Sequence, residues 1–352
     1  MRFGLMFFST QVEGGQPDKY FLLLEAARVA DQLGFSSIWT PERHFDNFGG
    51  IFPNPVITSA ALSMVTKNIQ LRAGSLISPL HDVIRISEDW AMVDNLSGGR
   101  VAISFGSGWN VNDFVFFPER YESRKKVLYQ QIETIRRLWR GNSIVRQNTF
   151  GIPVEIVLRP TPIQPELPFW VTSSGSLETF TAAGSMGANV LTHLVGQEMD
   201  ELERKIDLYR RAREDSGFNP ENGIISLMLH TFVTDAMETS ITQARPPFRE
   251  YLRAAVSLEK KAAHGGGSIS GGHQLAVAEV PDEVTEELLD ITCDRYLNDA
   301  ALIGTPESCS GLVGKLAAIG VDEIACLIDF GLSDASVLNG LKYLDQLRQE
   351  YA

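Results

Sequence analysis

Short runs of uninterrupted apolar residues alternate along this chain with longer stretches in which apolar positions recur every three or four. The first pattern suits a parallel strand buried on both faces, and the second an amphipathic helix. Phe3 to Phe8 predicts a strand, Ser9 to Pro17 a loop, and Tyr20 to Leu33 a helix stopped by Gly34. Phe35 to Trp39 predicts the next strand. A helix from Asn54-Pro55 to about Thr66, a strand from Ile69 to Ser75, a helix from Val83 to Leu96 and a strand from Val101 to Phe105 repeat the unit. Tyr121 to Trp139 is a long amphipathic helix, and Ile144 to Leu158 a β excursion with turn residues Asn148 and Gly151. Strands at Phe169–Thr172, Ala188–Thr192, Ile224–Val233 and Val321–Leu327 follow, with helices at 177–186, 199–215, 306–319 and 335–348.

Eight such strands alternating with helices point to an α/β protein built as a (β/α)8 barrel, a single domain over residues 1–352. An open dinucleotide-binding sheet would need Gly-x-Gly-x-x-Gly after its first strand, and Phe7-Phe8-Ser9-Thr10 is not that turn. The rhythm breaks after the seventh strand. Residues 235–299 contain Pro246-Pro247 and then a glycine-rich tract from His264 to His273. Such an insertion is either a lid over the site or a plain disordered loop, and both readings are open.

Barrel chemistry sits at the carboxyl ends of the strands. In order those ends present Phe7 and Phe8, Glu42-Arg43-His44, Gly74-Ser75, Gly106-Ser107-Gly108-Trp109, Thr172-Ser173-Ser174-Gly175-Ser176, Thr192-His193, His230 and Asp329. At the second tip an apolar run ends in a proline and then offers a carboxylate, a guanidinium and an imidazole in succession. His44 there is a candidate acid or base, although a structural histidine is the competing reading. The hydroxyl-rich turn at 172–176 opens a helix whose free amides and positive dipole end suit a phosphate. On that segment alone an ordinary serine cap is the simpler reading. Gly106-Ser107-Gly108 would let a flat ligand approach the backbone, or is a tight loop needing none. His193 lines the pocket or caps its own strand. Paired carboxylates for glycoside hydrolysis, a metal-spaced His/Asp cluster and a strand-tip lysine are all missing from the list.

Composition narrows the class. Hydrophobic content of 44% with 21% charged residues is ordinary for a globular enzyme or binding protein. The formal charge of -13 repels polyanions, and the basic cluster from Arg120 to Arg140 is interleaved with glutamates at helical spacing, so a nucleic-acid partner is not expected. Cys293, Cys309 and Cys326 lack metal or disulfide spacing and read as free buried thiols. No segment reaches the roughly 20 apolar residues of a membrane span, and no signal peptide is evident. A cytoplasmic setting is expected.

The motifs also resemble a known family. Trp39-Thr40-Pro41-Glu42-Arg43-His44-Phe45, Phe48-Gly49-Gly50, Pro53-Asn54-Pro55, Leu71-Arg72-Ala73-Gly74-Ser75, Asp94-Asn95-Leu96-Ser97-Gly98-Gly99-Arg100, Ile103 to Trp109, Asn112-Asp113-Phe114, Leu191-Thr192-His193-Leu194 and Asp322 to Gly331 are similar, in this order, to the bacterial luciferase-like flavin monooxygenases. The resemblance extends to the subgroup found with polyketide and nonribosomal peptide assembly lines. It implies a barrel that takes reduced FMN from a separate flavin reductase, forms a C4a-peroxyflavin with O2, and inserts one oxygen atom into a biosynthetic intermediate, free or tethered to a carrier protein. It also implies a homodimer through barrel-side helices.

Carried onto this chain, the resemblance places the FMN phosphate at Thr172, Ser173, Ser174, Gly175 and Ser176. Gly74 and Ser75 would lie against the ring system through a non-proline cis peptide, Phe7 would wall it, and Gly106, Ser107 and Gly108 would give backbone contacts. His44 would be the acid or base, His193 and Trp109 would face substrate, and no metal is implied. Two departures stand out. Val83 occupies a position where the subgroup has proline, and Gly106-Ser107 replaces the cysteine and arginine of the light-emitting members. Arg85 and Glu88 fit the pattern as a buried helix ion pair. A deazaflavin-dependent oxidoreductase on the same barrel, or a noncatalytic flavin-binding subunit, are the alternatives.

Overall fold

The computed structural model describes residues 1–8, 18–194, 197–264 and 282–351. In chain order these form β1 (Arg2–Met6), α1 (Phe21–Leu33), β2 (Ser37–Thr40), α2 (Pro55–Ser63), β3 (Gln70–Ile77), α3 (Val83–Ser97), β4 (Val101–Gly106) and α4 (Arg124–Trp139). An antiparallel hairpin, β5 (Ile144–Gln147) and β6 (Pro153–Ile156), comes next, followed by β7 (Phe169–Thr172), α5 (Leu177–Ser185), β8 (Asn189–His193), α6 (Met199–Asp215) and β9 (Ile225–Val233). The chain ends in α7 (Met237–His264), α8 (Asp282–Asp299), β10 (Leu302–Gly304), α9 (Pro306–Ala318), β11 (Glu323–Leu327) and α10 (Asp334–Gln349).

The strands β1, β2, β3, β4, β7, β8, β9 and β11 pair in parallel in that order, and β11 returns to β1, so the sheet closes into a (β/α)8 barrel. The boundaries follow from local chemistry. Gly34 ends α1 at φ 83°, a left-handed conformation that a Cβ would disfavour. The Asn54 and Asp82 side chains accept amide hydrogens at the starts of α2 and α3.

Side chains alternate between two cores, as a strand's period of two dictates. Leu5, Ile38, Leu71, Ile103, Val171 and Leu227 face the helices, whereas Met6, Trp39, Ala102, Trp170, Leu191 and Ala325 face the lumen. This alternation corrects one expectation. Phe7 falls on the helix side, edge-on to Phe52, and does not wall the barrel mouth. Phe8, one residue on, faces the mouth instead.

The lumen floor is polar. Arg72 Nη1 donates to Glu323 Oε2 at 2.6 Å, and the Ser36, Ser37 and Ser226 hydroxyls donate to the same carboxylate at 2.6, 2.9 and 2.6 Å. The Arg72 guanidinium lies in the angle of the perpendicular Trp39 and Trp170 rings, 4.6 and 4.3 Å from their centroids. Burial opposes the Glu323 charge, but Arg72 and the hydroxyls outweigh it and hold the carboxyl below its usual range.

The insertion after β9 is more ordered than its prolines and glycines suggest. Its described parts are the helices α7 and α8; the glycine-rich tract at 265–281 and the loop at 9–17 lie outside the described residues. Pro246 and Pro247 sit inside α7. Ion pairs clamp the two helices together, Arg249 to Asp290 at 2.7 Å and Arg253 to Glu286 at 2.7 Å. The short strand β10 then pairs with the far end of β9, a strand the sequence pattern does not signal. Arg85 is 70% exposed and pairs with Asp89 at 2.8 Å and Glu88 at 3.9 Å, so that ion pair is a solvated surface one.

Breaking the floor leaves a charge buried without its partner. Glu323→Gln is expected to cost about 3–5 kcal/mol. Arg140→Ala, which removes the solvent-exposed Arg140–Glu166 pair, should cost about 0–1 kcal/mol. Urea unfolding of both variants at neutral pH checks the difference.

Candidate active site

Pro41 ends β2, and the next three side chains diverge. Glu42 is buried and accepts three hydrogen bonds: from His44 Nε2 at 2.9 Å, from His81 Nε2 at 2.6 Å and from the Ile77 amide at 2.7 Å. Burial alone would raise its pKa, but these donors hold it below the usual carboxylate range. An ionised carboxylate only accepts, so Nε2 carries the proton on both imidazoles. Nδ1 is therefore the basic atom of neutral His44. The ring packs edge-on to Phe116 at 5.1 Å, and the turn beyond it passes through Phe45 at φ 58°, a strained conformation for a non-glycine residue.

Arg43 turns the other way, into the cup. Its guanidinium carbon lies 4.8 Å from the Phe8 ring centroid, 5.5 Å from Trp109 and 6.0 Å from Phe48. The side chain is buried and makes neither an ion pair nor a guanidinium hydrogen bond among the described residues, with Nε fully enclosed and unpartnered. Burial lowers its pKa, against the fields of Asp113, Tyr251 and Asp46. Asp113 accepts from Asn110 Nδ2 at 2.9 Å, and burial pushes its pKa up to about 6 despite Arg43 and His44 nearby.

On the neighbouring strand β3, Gly74–Ser75 is a cis peptide, and the β3–β4 register shifts beside it. Ser75 Oγ and Ser104 Oγ each lie 2.6 Å from Thr172 Oγ1. A Cβ on Gly74 would come within 3.0 Å of Trp39, and one on Gly106 within 2.9 Å of Ile77. Gly108 has φ 78° and packs against Ile77 and Phe114. At each glycine the place of a Cβ is already taken by a neighbour, so Trp39, Ile77 and Phe114 pack directly against the backbone of this shelf. Ser107 belongs to the same loop.

Beside the shelf, the 173–176 turn opens α5. Ser176 stands at the cap position, yet its side chain makes no capping bond. The Ser173 amide is used by Leu191 O, and the Gly175 amide by Ser173 Oγ at 3.3 Å. Gly175 has φ 120°, and a Cβ there would lie 3.1 Å from Lys205 Nζ. Lys205 is 2% exposed, donates to Gln197 Oε1 at 2.9 Å and pairs with Glu201 at 2.6 Å. A buried ammonium, orphan helix amides and hydroxyls thus converge on one turn, a donor set that fits a phosphate. A phosphorylated flat heterocycle would be held by this turn.

The insertion supplies the remaining wall. Tyr251 and Phe248 of α7 pack with His230 at centroid distances of 4.7 Å each, and Tyr251 continues to Phe48 at 5.0 Å. Burial, and then His193, pushes the His230 pKa down to about 3, so its imidazole is neutral. Lys261 on α7 reaches Asp46 at 2.7 Å, and Arg295 on α8 reaches Glu198. These contacts tie the insertion to both sides of the mouth. Among the described residues no His/Cys/Asp/Glu group could hold a metal ion, and no helix is long and apolar enough to cross a membrane.

The structure places His44 beyond β2, Gly74 and Ser75 on the neighbouring β3, Gly106, Gly108 and Trp109 at the end of β4, Thr172–Ser176 at the end of β7 and His193 at the end of β8, in that order around the barrel. Arg43, Asp113, Lys205 and Tyr251 were not singled out from sequence. Arg43 could have been, as a guanidinium at a strand tip; Lys205 lies in an ordinary helical pattern and gives no such signal.

Comparison with known proteins bears on the fold and the family. The oxygenase component of the flavin-dependent trigonelline monooxygenase of Acinetobacter baylyi is 27% identical over 349 residues, 95% of this chain and 90% of that protein. Among solved structures, monooxygenase RslO1 from Streptomyces bottropensis superposes over 100% of both chains with a TM-score of 0.80 at 21% identity. The FMN complex of the oxygenating constituent of 3,6-diketocamphane monooxygenase from Pseudomonas putida covers 98% of this chain and 97% of its own, with a TM-score of 0.74 at 16% identity. Residues 1–323 match the sequence pattern of the luciferase-like monooxygenases, and the chain belongs to that family.

Proposed function

We propose that this protein is an FMN-dependent monooxygenase that inserts one oxygen atom from O2 into a biosynthetic intermediate. The observation that carries the cofactor reading is the donor set at Ser173–Ser176 and Lys205, next to the β4 tip that bears Gly106. Reduced FMN bound there would supply the activation of O2; the protein supplies orientation and a dry site. A relative named as an oxygenase component supports a separate flavin reductase as partner.

The chain's own residues divide the remaining work. Phe8, Phe48, Trp109, Phe116 and Tyr251 exclude water, which protects a reactive oxygen species from premature loss. Glu42 fixes the His44 tautomer, and His44 Nδ1 accepts or returns one proton at the reacting end. The insertion helices serve as the lid. Ile57 on α2, Met64 just past its end, and Met92 and Leu96 on α3 are exposed apolar side chains suited to a homodimer contact.

Three outcomes are expected. Lys205→Met should weaken FMN binding at least tenfold while leaving riboflavin binding unchanged, read by flavin fluorescence titration; equal loss for both flavins would remove the phosphate assignment. His44→Ala should lower product yield per flavin oxidised by about 100-fold with FMN affinity retained, measured with a reductase and candidate substrates. Asp113 binds its proton more tightly folded than unfolded. Its contribution to stability is therefore full below the ordinary pKa of 3.8 and fades as pH rises to about 6. Asp113→Asn should remove that part of the pH dependence of the melting temperature.

A further inference from the structure

Arg43 is left over by this mechanism, and its surroundings are unusual. A guanidinium taken out of water is normally paired with a carboxylate, because desolvation of the lone cation is unfavourable. The two carboxylates whose fields reach Arg43 are engaged elsewhere, Asp46 with Lys261 at 2.7 Å and Asp113 with Asn110 at 2.9 Å. What surrounds the guanidinium instead is Phe8, Phe48 and Trp109. The aromatic wall then runs on through Tyr251 to His230.

We propose that Arg43 is the recognition site for a free carboxylate on a flat aromatic substrate, whose ring lies against the Phe8, Phe48, Trp109 and Tyr251 wall. The inference rests on the monooxygenase reading and narrows its substrate class. A planar guanidinium offers paired N–H donors matched to a carboxylate, and the rings favour a flat apolar body beside it. Arg43 and its cage come from the tips of β1, β2 and β4 and from α7, whereas the serine turn and Lys205, which would take the phosphate, come from β7, α5 and α6; the two places adjoin at β4, where Trp109 follows Gly108. The choice also bears on carrier tethering. A thioester uses up the carboxyl group it is made from, so a tethered monoacid has no carboxylate to offer and the free acid fits Arg43.

The test uses benzoate and benzamide as probes, which share size and ring but not charge. Calorimetric titration of the full chain, with and without bound FMN, should show benzoate binding at least tenfold more tightly than benzamide in both states. Arg43→Met should abolish that preference, Arg43→Lys should retain part of it, and FMN affinity should be unchanged in both variants. Equal or absent binding of the two probes to the wild-type protein would overturn the proposal, and this arm needs no variant to fold. Competition between benzoate and FMN, or an unchanged preference in a folded Arg43→Met, would overturn it too. Failure of the flavin reading is distinguishable, since it appears as absent FMN binding in the wild-type titration, whatever benzoate does.

Discussion

The buried pair of Arg72 and Glu323 decides which part of this barrel can work. It draws β2, β3, β9 and β11 onto one carboxylate through Ser37, Arg72, Ser226 and Glu323, and Ser36 adds a further hydroxyl. Trp39 and Trp170, perpendicular to each other, both press on the guanidinium, with the Trp170 indole donating to Ser226 at 3.0 Å. The amino-terminal half of the lumen is thereby filled. Only the carboxyl-terminal half is left to form a cup.

Within that cup the division of labour follows from the strand tips. Glu42 takes donors from its own loop, from the end of β3 and from His81, so a single carboxylate locks three segments and orients His44. The neighbouring Arg43 points away from this lock into an aromatic cage. Three consecutive residues thus part ways: an anchor, a cation with no ion pair among the described residues, and an imidazole held by that anchor. At the tips of β3 and β4 the glycines let Trp39, Ile77 and Phe114 close against the backbone, and Lys205 arrives from α6 to meet the turn of α5.

The insertion completes the cup rather than decorating it. Its helix α7 contributes Tyr251 and Phe248 to the wall, and Lys261–Asp46 and Arg295–Glu198 fasten the two helices to opposite sides of the mouth. A site that must stay dry gains from this, since the covering element is itself part of the packing.

By itself the sequence determined the barrel, the order of its elements and most of its strand tips, because hydrophobic period, glycine stops and asparagine or aspartate caps act over a few residues. The turn at 172–176 and the glycine loop at 106–108 were legible for the same reason. Which face each residue presents was not. A run such as Phe3 to Phe8 is apolar throughout, so only the closed sheet could put Phe7 among the helices and Phe8 in the cup. The helices of the insertion escaped because two prolines and a glycine tract read locally as breakers, while α7–α8 ion pairs and aromatic contacts decide the outcome. Lys205 beside Gly175, Asp113 beside Arg43, and the absence of any ion pair to that guanidinium among the described residues belong to tertiary structure alone. Charges far apart in the chain meet only when the barrel has brought their helices and loops to one rim.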